Sequence, residues 1–119
     1  MNTRNLGGRG EGIAAEYLSN RGCRLLDKNF RVKSGEIDLV VMDRGCLCFV
    51  EVKARRSYGT PQEAVTKIKQ RKLTKLAQVY LKEKYRSVDV RCRFDVVAVE
   101  EKEDGSTHIK WFQNAFDAL

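Results

Sequence analysis

Gly35-Glu36-Ile37-Asp38-Leu39-Val40-Val41, followed after a short turn by Phe49-Val50-Glu51-Val52-Lys53, is the stretch that decides how this chain is read. Two apolar, strand-forming runs, each charged at one end, flank the turn sequence Asp43-Arg44-Gly45. That pattern predicts an antiparallel hairpin. If Met42 faces Leu47, Asp38 lies across from Glu51 and Glu36 across from Lys53. Alternation then places Asp38, Val40, Phe49, Glu51 and Lys53 on one face, with Ile37, Leu39, Val41, Cys48, Val50 and Val52 on the other. Both faces are apolar along their centres. The hairpin is therefore expected inside a sheet, with helices on both sides.

Two carboxylates opposed on a buried strand pair repel one another, and burial raises the cost. A divalent cation resolves the conflict. Mg²⁺ takes hard oxygen ligands and is commonly held by one or two carboxylates plus a substrate phosphate. Asp38 and Glu51 are thus candidate ligands for Mg²⁺ or Mn²⁺, with the carbonyl of Val52 as a further one. Lys53, on the same face, is placed to orient or deprotonate water, or to stabilise charge on a phosphate. The competing reading is an ordinary cross-strand salt-bridge group at a sheet edge. A register slip by one residue would send Asp38 to the other face and end the metal reading.

Around the hairpin, residues 5–20 read as a helix with Ile13, Ala14, Tyr17 and Leu18 on one face. Residues 23–32 read as a first strand, 36–42 as a second and 46–55 as a third. Thr60-Pro61-Gln62-Glu63 has the chemistry of a helix start, with a capping residue, a proline at the first position and a capping-box acid. Val65, Ile68, Leu73, Leu76, Ala77 and Tyr80 then recur at helical spacing to about residue 85, with room for a break. Residues 91–100 and 107–112 are two further strands around an Asp104-Gly105 turn. The order αβββαββ implies an α/β sandwich built on a mixed five-stranded sheet flanked by helices.

The chain has 119 residues, 42% of them hydrophobic and 33% charged, which suits one soluble domain. It contains no apolar run long enough to span a bilayer and its first residues lack a signal-peptide core, so a cytoplasmic protein with no membrane association is expected. Cys23, Cys46, Cys48 and Cys92 form no Cys-x-x-Cys pair that would suit zinc, and Cys46 and Cys48, alternating on a strand, read as small buried hydrophobes. The net charge of +7 is concentrated. Between residues 67 and 86 eight basic side chains face one acid, Glu83, which alone accounts for the excess. Such a surface suits nucleic acid, against the plainer reading of a solvated helix face.

Gly10-Glu11, Asn29-Phe30-Arg31, Gly35-Glu36-Ile37-Asp38-Leu39, Phe49-Val50-Glu51-Val52-Lys53-x-Arg55, Lys69-Gln70 and Arg93-Phe94-Asp95 recur in that order in the YraN-like bacterial proteins, which this chain resembles over nearly its whole length. That family is similar to the restriction-endonuclease-like superfamily, marked by Asp followed by Asp/Glu-x-Lys, and to the archaeal Holliday-junction resolvases. The resemblance implies a restriction-endonuclease-like sandwich, metal ligation by Asp38 and Glu51, a catalytic Lys53, and Glu11 as an acid borne on the first helix. It also makes a homodimer plausible. Ile37 stands where the superfamily expects proline. Helical projection independently favours Glu11, at the border of the apolar face, over Glu16, which points to solvent.

The candidate nucleic-acid contacts are Arg55, Arg56 and Tyr58, which follow the site strand, and Lys67, Arg71, Lys75 and Lys82, an outward stripe on the long helix. Lys69 projects toward the apolar face, either snorkelling to solvent or reaching the scissile phosphate. Arg93 and Asp95 read as a structural ion pair, and Trp111 and Phe112 as core or interface. These features together predict a metal-dependent endonuclease acting on DNA. A non-catalytic nucleic-acid-binding module and, more weakly, an adaptor for an acidic protein remain as alternatives.

Overall fold

The computed structural model describes residues 3–56, 65–86 and 89–118, with side chains from residue 8 onward. The elements run α1 (Thr3–Asn20), β1 (Arg24–Val32), β2 (Gly35–Asp43), β3 (Cys46–Arg56), α2 (Lys67–Tyr85), β4 (Cys92–Glu101) and β5 (Thr107–Phe116). The strands form one five-stranded sheet in sequence order. β1, β2 and β3 make an antiparallel meander; β3 and β4 are parallel neighbours joined across α2, and β5 closes antiparallel on β4. The expected α/β architecture and αβββαββ order are what the chain adopts.

Each face of the sheet buries its own core, because the central strands are apolar on both sides. Ala14 and Leu18 of α1 pack on Leu39, Val41, Cys48, Val50, Val97 and Val99. On the other face, Leu73, Leu76, Ala77, Tyr80 and Leu81 of α2 pack on Val40, Leu47, Phe49, Phe94 and Val96. The ring of Tyr80 meets Phe30 and Phe49 edge-on, at centroid distances of 5.0 and 5.7 Å. Its hydroxyl donates to Asp27 Oδ2 at 2.6 Å, so the polar tip of this core tyrosine is satisfied.

The β2–β3 register is the expected one: Met42 faces Leu47, Val40 faces Phe49 and Leu39 faces Val50. Beyond that row the backbone ladder stops. The Val52 amide donates instead to the Asp38 side chain, Oδ2, at 2.8 Å. One face assignment fails at this point. Ile37 packs with the α2 core rather than with Leu39 and Val41 on the α1 side. The strand is released from β3 there, and its β1 partner is irregular, with Asn29 at φ 55°. Strict alternation therefore breaks at Asp38.

The long helix also starts later than expected. Residues 65 and 66 are non-helical, and Thr66 caps the helix by accepting the Lys69 amide at 3.2 Å. The proposed capping box of Thr60, Pro61 and Glu63 lies outside the described residues. Ile68 is 77% exposed, not part of the core face. Five residues at 100° per residue put it about 140° away from Leu73 around the helix.

Candidate active site

The site forms where β2 parts from β3, because only there can groups from both helical layers reach one point. A cavity of about 270 Å³ opens at this corner, bordered by Glu36 and Asp38 of β2, Glu51 of β3, and Lys69 and Lys72 of α2. Gly35 permits the Lys72 side chain to cross it: a Cβ at Gly35, which has φ 151°, would lie 2.9 Å from Lys72 Cε.

The first helix enters from the opposite layer. α1 lies so close to β3 at Gly10 that a Cβ there would stand 2.6 Å from the Cβ of Ala54. This approach brings the next residue, Glu11, to the rim of the site. Carboxylate oxygens of Glu11, Glu36 and Asp38 all lie within 4.8 Å of one another. Glu11 is steadied by Asn29, whose Nδ2 donates to it at 2.8 Å, and Glu36 accepts two bonds from Arg31 at 3.1 and 2.8 Å.

Electrostatics follow from this crowding. Burial, then the neighbouring Glu51, push the Asp38 carboxyl up to about 7; the Val52 amide pulls the other way, and Glu11 and Glu36 add to the rise. Glu51 is only 6% exposed and is met by Lys69 Nζ at 2.5 Å. Burial alone would lower Lys69, but its bond to Glu51 and the charges of Asp38 and Glu36 outweigh that and hold the ammonium above its ordinary value. Lys69 is thus both half exposed and paired with Glu51 at the edge of the cavity.

The other expected residues are placed as follows. Lys53 is half-buried on β3, two residues beyond Glu51 and opposite Ala98 of β4. It shares Glu51's face by strand alternation but does not border the cavity. Val52 joins the site through its amide. Arg55 and Arg56 pair with the acids directly across the parallel ladder, Glu100 at 2.9 Å and Glu101 at 3.9 Å. Arg55 Nε and Nη1 are buried without an acceptor. Tyr58 lies outside the described residues. Lys67, Arg71 and Lys75 are exposed along α2. Arg93 and Asp95 are an ion pair as expected, at 2.9 Å, extended by Asp43 at 2.8 Å.

Glu36 and Lys72 were missed as site residues. Glu36 is two positions from Asp38, near enough along β2 to share its corner where alternation breaks, and Lys72 is one turn from Lys69. Both signals were present in the sequence. The described cysteines are all free thiols, and the acid trio is the metal-type grouping found among the described residues.

Residues 10–99 match the family model described as "Uncharacterised protein family UPF0102". A UPF0102 protein of Symbiobacterium thermophilum is 51% identical over 118 residues, covering 98% of this chain and 99% of its own. One from Geobacter sulfurreducens is 46% identical over 114 residues, covering 94% and 88%. Among solved structures, Pyrococcus furiosus SfsA in complex with Ca²⁺ aligns at a TM-score of 0.44 and 15% identity. That alignment covers 94% of this chain but only 64% of the other, a likeness too slight to carry a functional argument. The motifs, the matched span and the near full-length relatives agree: this chain belongs to the uncharacterised family UPF0102, the YraN family.

Proposed function

We propose that this protein is a metal-dependent endonuclease that hydrolyses phosphodiester bonds in DNA, branched or repair intermediates among its candidate substrates. The observation that carries this reading is the convergence of Glu11, Glu36, Asp38 and Glu51 on one partly buried corner edged by Lys69 and Lys72. A carboxyl driven up to about 7 by burial and by a second acid is a site short of positive charge. The all-oxygen donor set suits Mg²⁺ or Mn²⁺ rather than a softer metal. Asp38 would hold the ion with Glu51 or with Glu11 and Glu36, and the Val52 carbonyl is a further ligand in this reading. When bound, the ion would polarise a phosphoryl oxygen and acidify a water.

The chain's own groups supply the rest. Lys69 and Lys72 flank the entrance and offer ammonium groups to the scissile phosphate. Lys53 orients or deprotonates the attacking water from the same strand face as Glu51. Lys67, Arg71 and Lys75 follow the nucleic-acid backbone along α2. Incubation with duplex, single-stranded and branched DNA in Mg²⁺ or Mn²⁺ tests this. Cleavage is expected, and Asp38→Asn, Glu51→Gln and Lys53→Ala should each abolish it while the fold persists. Activity retained in any of the three would overturn that residue's role, and intact DNA throughout would overturn the reaction.

The Lys69–Glu51 ion pair favours one second reading, a non-catalytic nucleic-acid-binding module in which the ammonium neutralises Glu51 permanently. It predicts salt-sensitive binding indifferent to metal and to Asp38→Asn.

A further inference from the structure

At the opposite end of β2 from the acids lies a second and larger cavity of about 400 Å³, with the reverse chemistry. Arg21 reaches it from the end of α1, Arg44 from the β2–β3 turn, Arg91 from the entry to β4, and Arg93 from β4 itself. Arg93 is committed. Its guanidinium bonds Asp43 at 2.8 Å and Asp95 at 2.9 Å, and Asp95 also accepts the Trp111 indole N–H at 2.9 Å. Asp43 and Trp111 border the cavity, so this network forms a rigid wall.

The other three arginines are not so committed. No ion pair joins Arg21, Arg44 or Arg91 to an acid among the described residues. Arg21 instead lies over the Tyr17 ring, 3.5 Å from its centroid. Arg44 sits at φ 51° in a turn with Gly45, a left-handed position that favours asparagine, aspartate or glycine. An arginine held there, at a backbone cost, in a cavity that Arg21 and Arg91 also line points to a role outside folding. Guanidinium forks present paired N–H donors that match phosphate oxygens, and a bound anion would relieve the repulsion among several arginines lining one cavity.

We propose that this cavity is a second phosphate-binding site, which grips the backbone of a nucleic-acid strand away from the acid cluster. The proposal rests on reading the protein as a nucleic-acid binder, but not on its cutting the strand. The two cavities lie at opposite ends of β2 and on opposite faces of the sheet: Cys46 and Trp111 pack with the α1 core, whereas Lys69 and Lys72 of α2 border the acid site. A strand gripped here would be held by arginine at a segment other than the one that faces the acids. The site would contribute to affinity and register rather than to sequence choice.

Trp111 is the protein's sole tryptophan, so its fluorescence reports this cavity directly. Short duplex DNA is titrated into Asp38→Asn protein, which keeps the strand uncut, with and without Arg44→Gly and Arg91→Ala. A parallel titration uses inorganic phosphate alone. The expected result is a saturable change in Trp111 emission with DNA, weakened about tenfold or more by the double substitution, with the log–log salt slope lowered by about two. No change at Trp111, or a change untouched by the double substitution, would overturn the proposal. Saturation by phosphate at the same concentration as DNA would overturn the strand as ligand and assign the cavity to a small phosphate anion. Circular dichroism checks that the variants fold. DNA that perturbs Trp111 in the Asp38→Asn protein but is never cleaved by the wild-type protein leaves this site standing and removes the nuclease. Cleavage by the wild-type protein, together with binding that Arg44→Gly and Arg91→Ala leave unaltered, does the reverse.

Discussion

Replacing Asp38 by asparagine should stabilise the metal-free protein at neutral to alkaline pH, although it destroys the proposed activity. Asp38 titrates near 7 in the folded chain against an ordinary value of 3.8, because burial and then Glu51 oppose its charge. A carboxyl raised in the folded state binds protons there that the unfolded chain has already lost. Stability therefore falls as pH rises from about 4 through about 7, and is level above that. Three units at about 1.4 kcal/mol each set an upper bound near 4 kcal/mol at pH 8. Relaxation of the corner and residual hydration should leave about 1–3 kcal/mol. Asparagine keeps an oxygen for the Val52 amide and removes the charge, so it should recover that amount at pH 8 and nothing near pH 4. Urea unfolding of both proteins in EDTA, at several pH values across this window, measures it. Mg²⁺ or Mn²⁺ should then narrow the gap by stabilising the wild type alone. An asparagine variant that follows the wild-type pH profile, or is weaker at pH 8 without metal, would refute the reasoning.

Four further outcomes are expected. Lys69→Ala strands the buried Glu51 beside Asp38 and should cost about 2 kcal/mol at pH 8 in EDTA, a loss that Mg²⁺ partly restores in the same unfolding assay. Gly10→Ala improves helix propensity yet should destabilise by about 1–2 kcal/mol, because the new methyl meets Ala54 and lifts α1 off β3. The same change should lower cleavage by displacing Glu11, as a rate assay on the folded variant would reveal. Asp95→Asn breaks a wholly buried acid from Arg93 and should cost about 3–5 kcal/mol by denaturant midpoint. Arg44→Gly relieves its left-handed backbone and should raise stability by about 0.5–1 kcal/mol, read as a higher melting temperature.

Period-two and helical patterning made most of the fold legible, since local periodicity reports which side of an element meets a core. The αβββαββ order, the β2–β3 register and both covered faces could be read from residues 35–53 and their surroundings. The onset of α2 could not. Thr60-Pro61, outside the described residues, carries the local chemistry of a helix start, and nothing local marked the break at residues 65 and 66 before α2 begins at Lys67, where Thr66 caps it and Leu73, Leu76 and Tyr80 seat on the sheet. Ile68 shows the same limit. An apolar residue was counted into the stripe by type, and its angle around the helix places it in solvent.

By itself the chain's sequence determined that Asp38 and Glu51 would be neighbours, because antiparallel pairing between two short-looped strands admits one favourable register. It also determined that positive charge would gather on one helix, since those side chains sit within twenty consecutive residues. Only the tertiary structure decided that β2 leaves β3 at Asp38, that α1 comes close enough at Gly10 to lend Glu11, and that Lys69 meets Glu51. Those are distances between elements far apart in the chain, set by how two helices pack on opposite faces of one twisted sheet. The arginine cavity has the same origin: its residues come from four separate segments, and nothing local to any one of them announces the others.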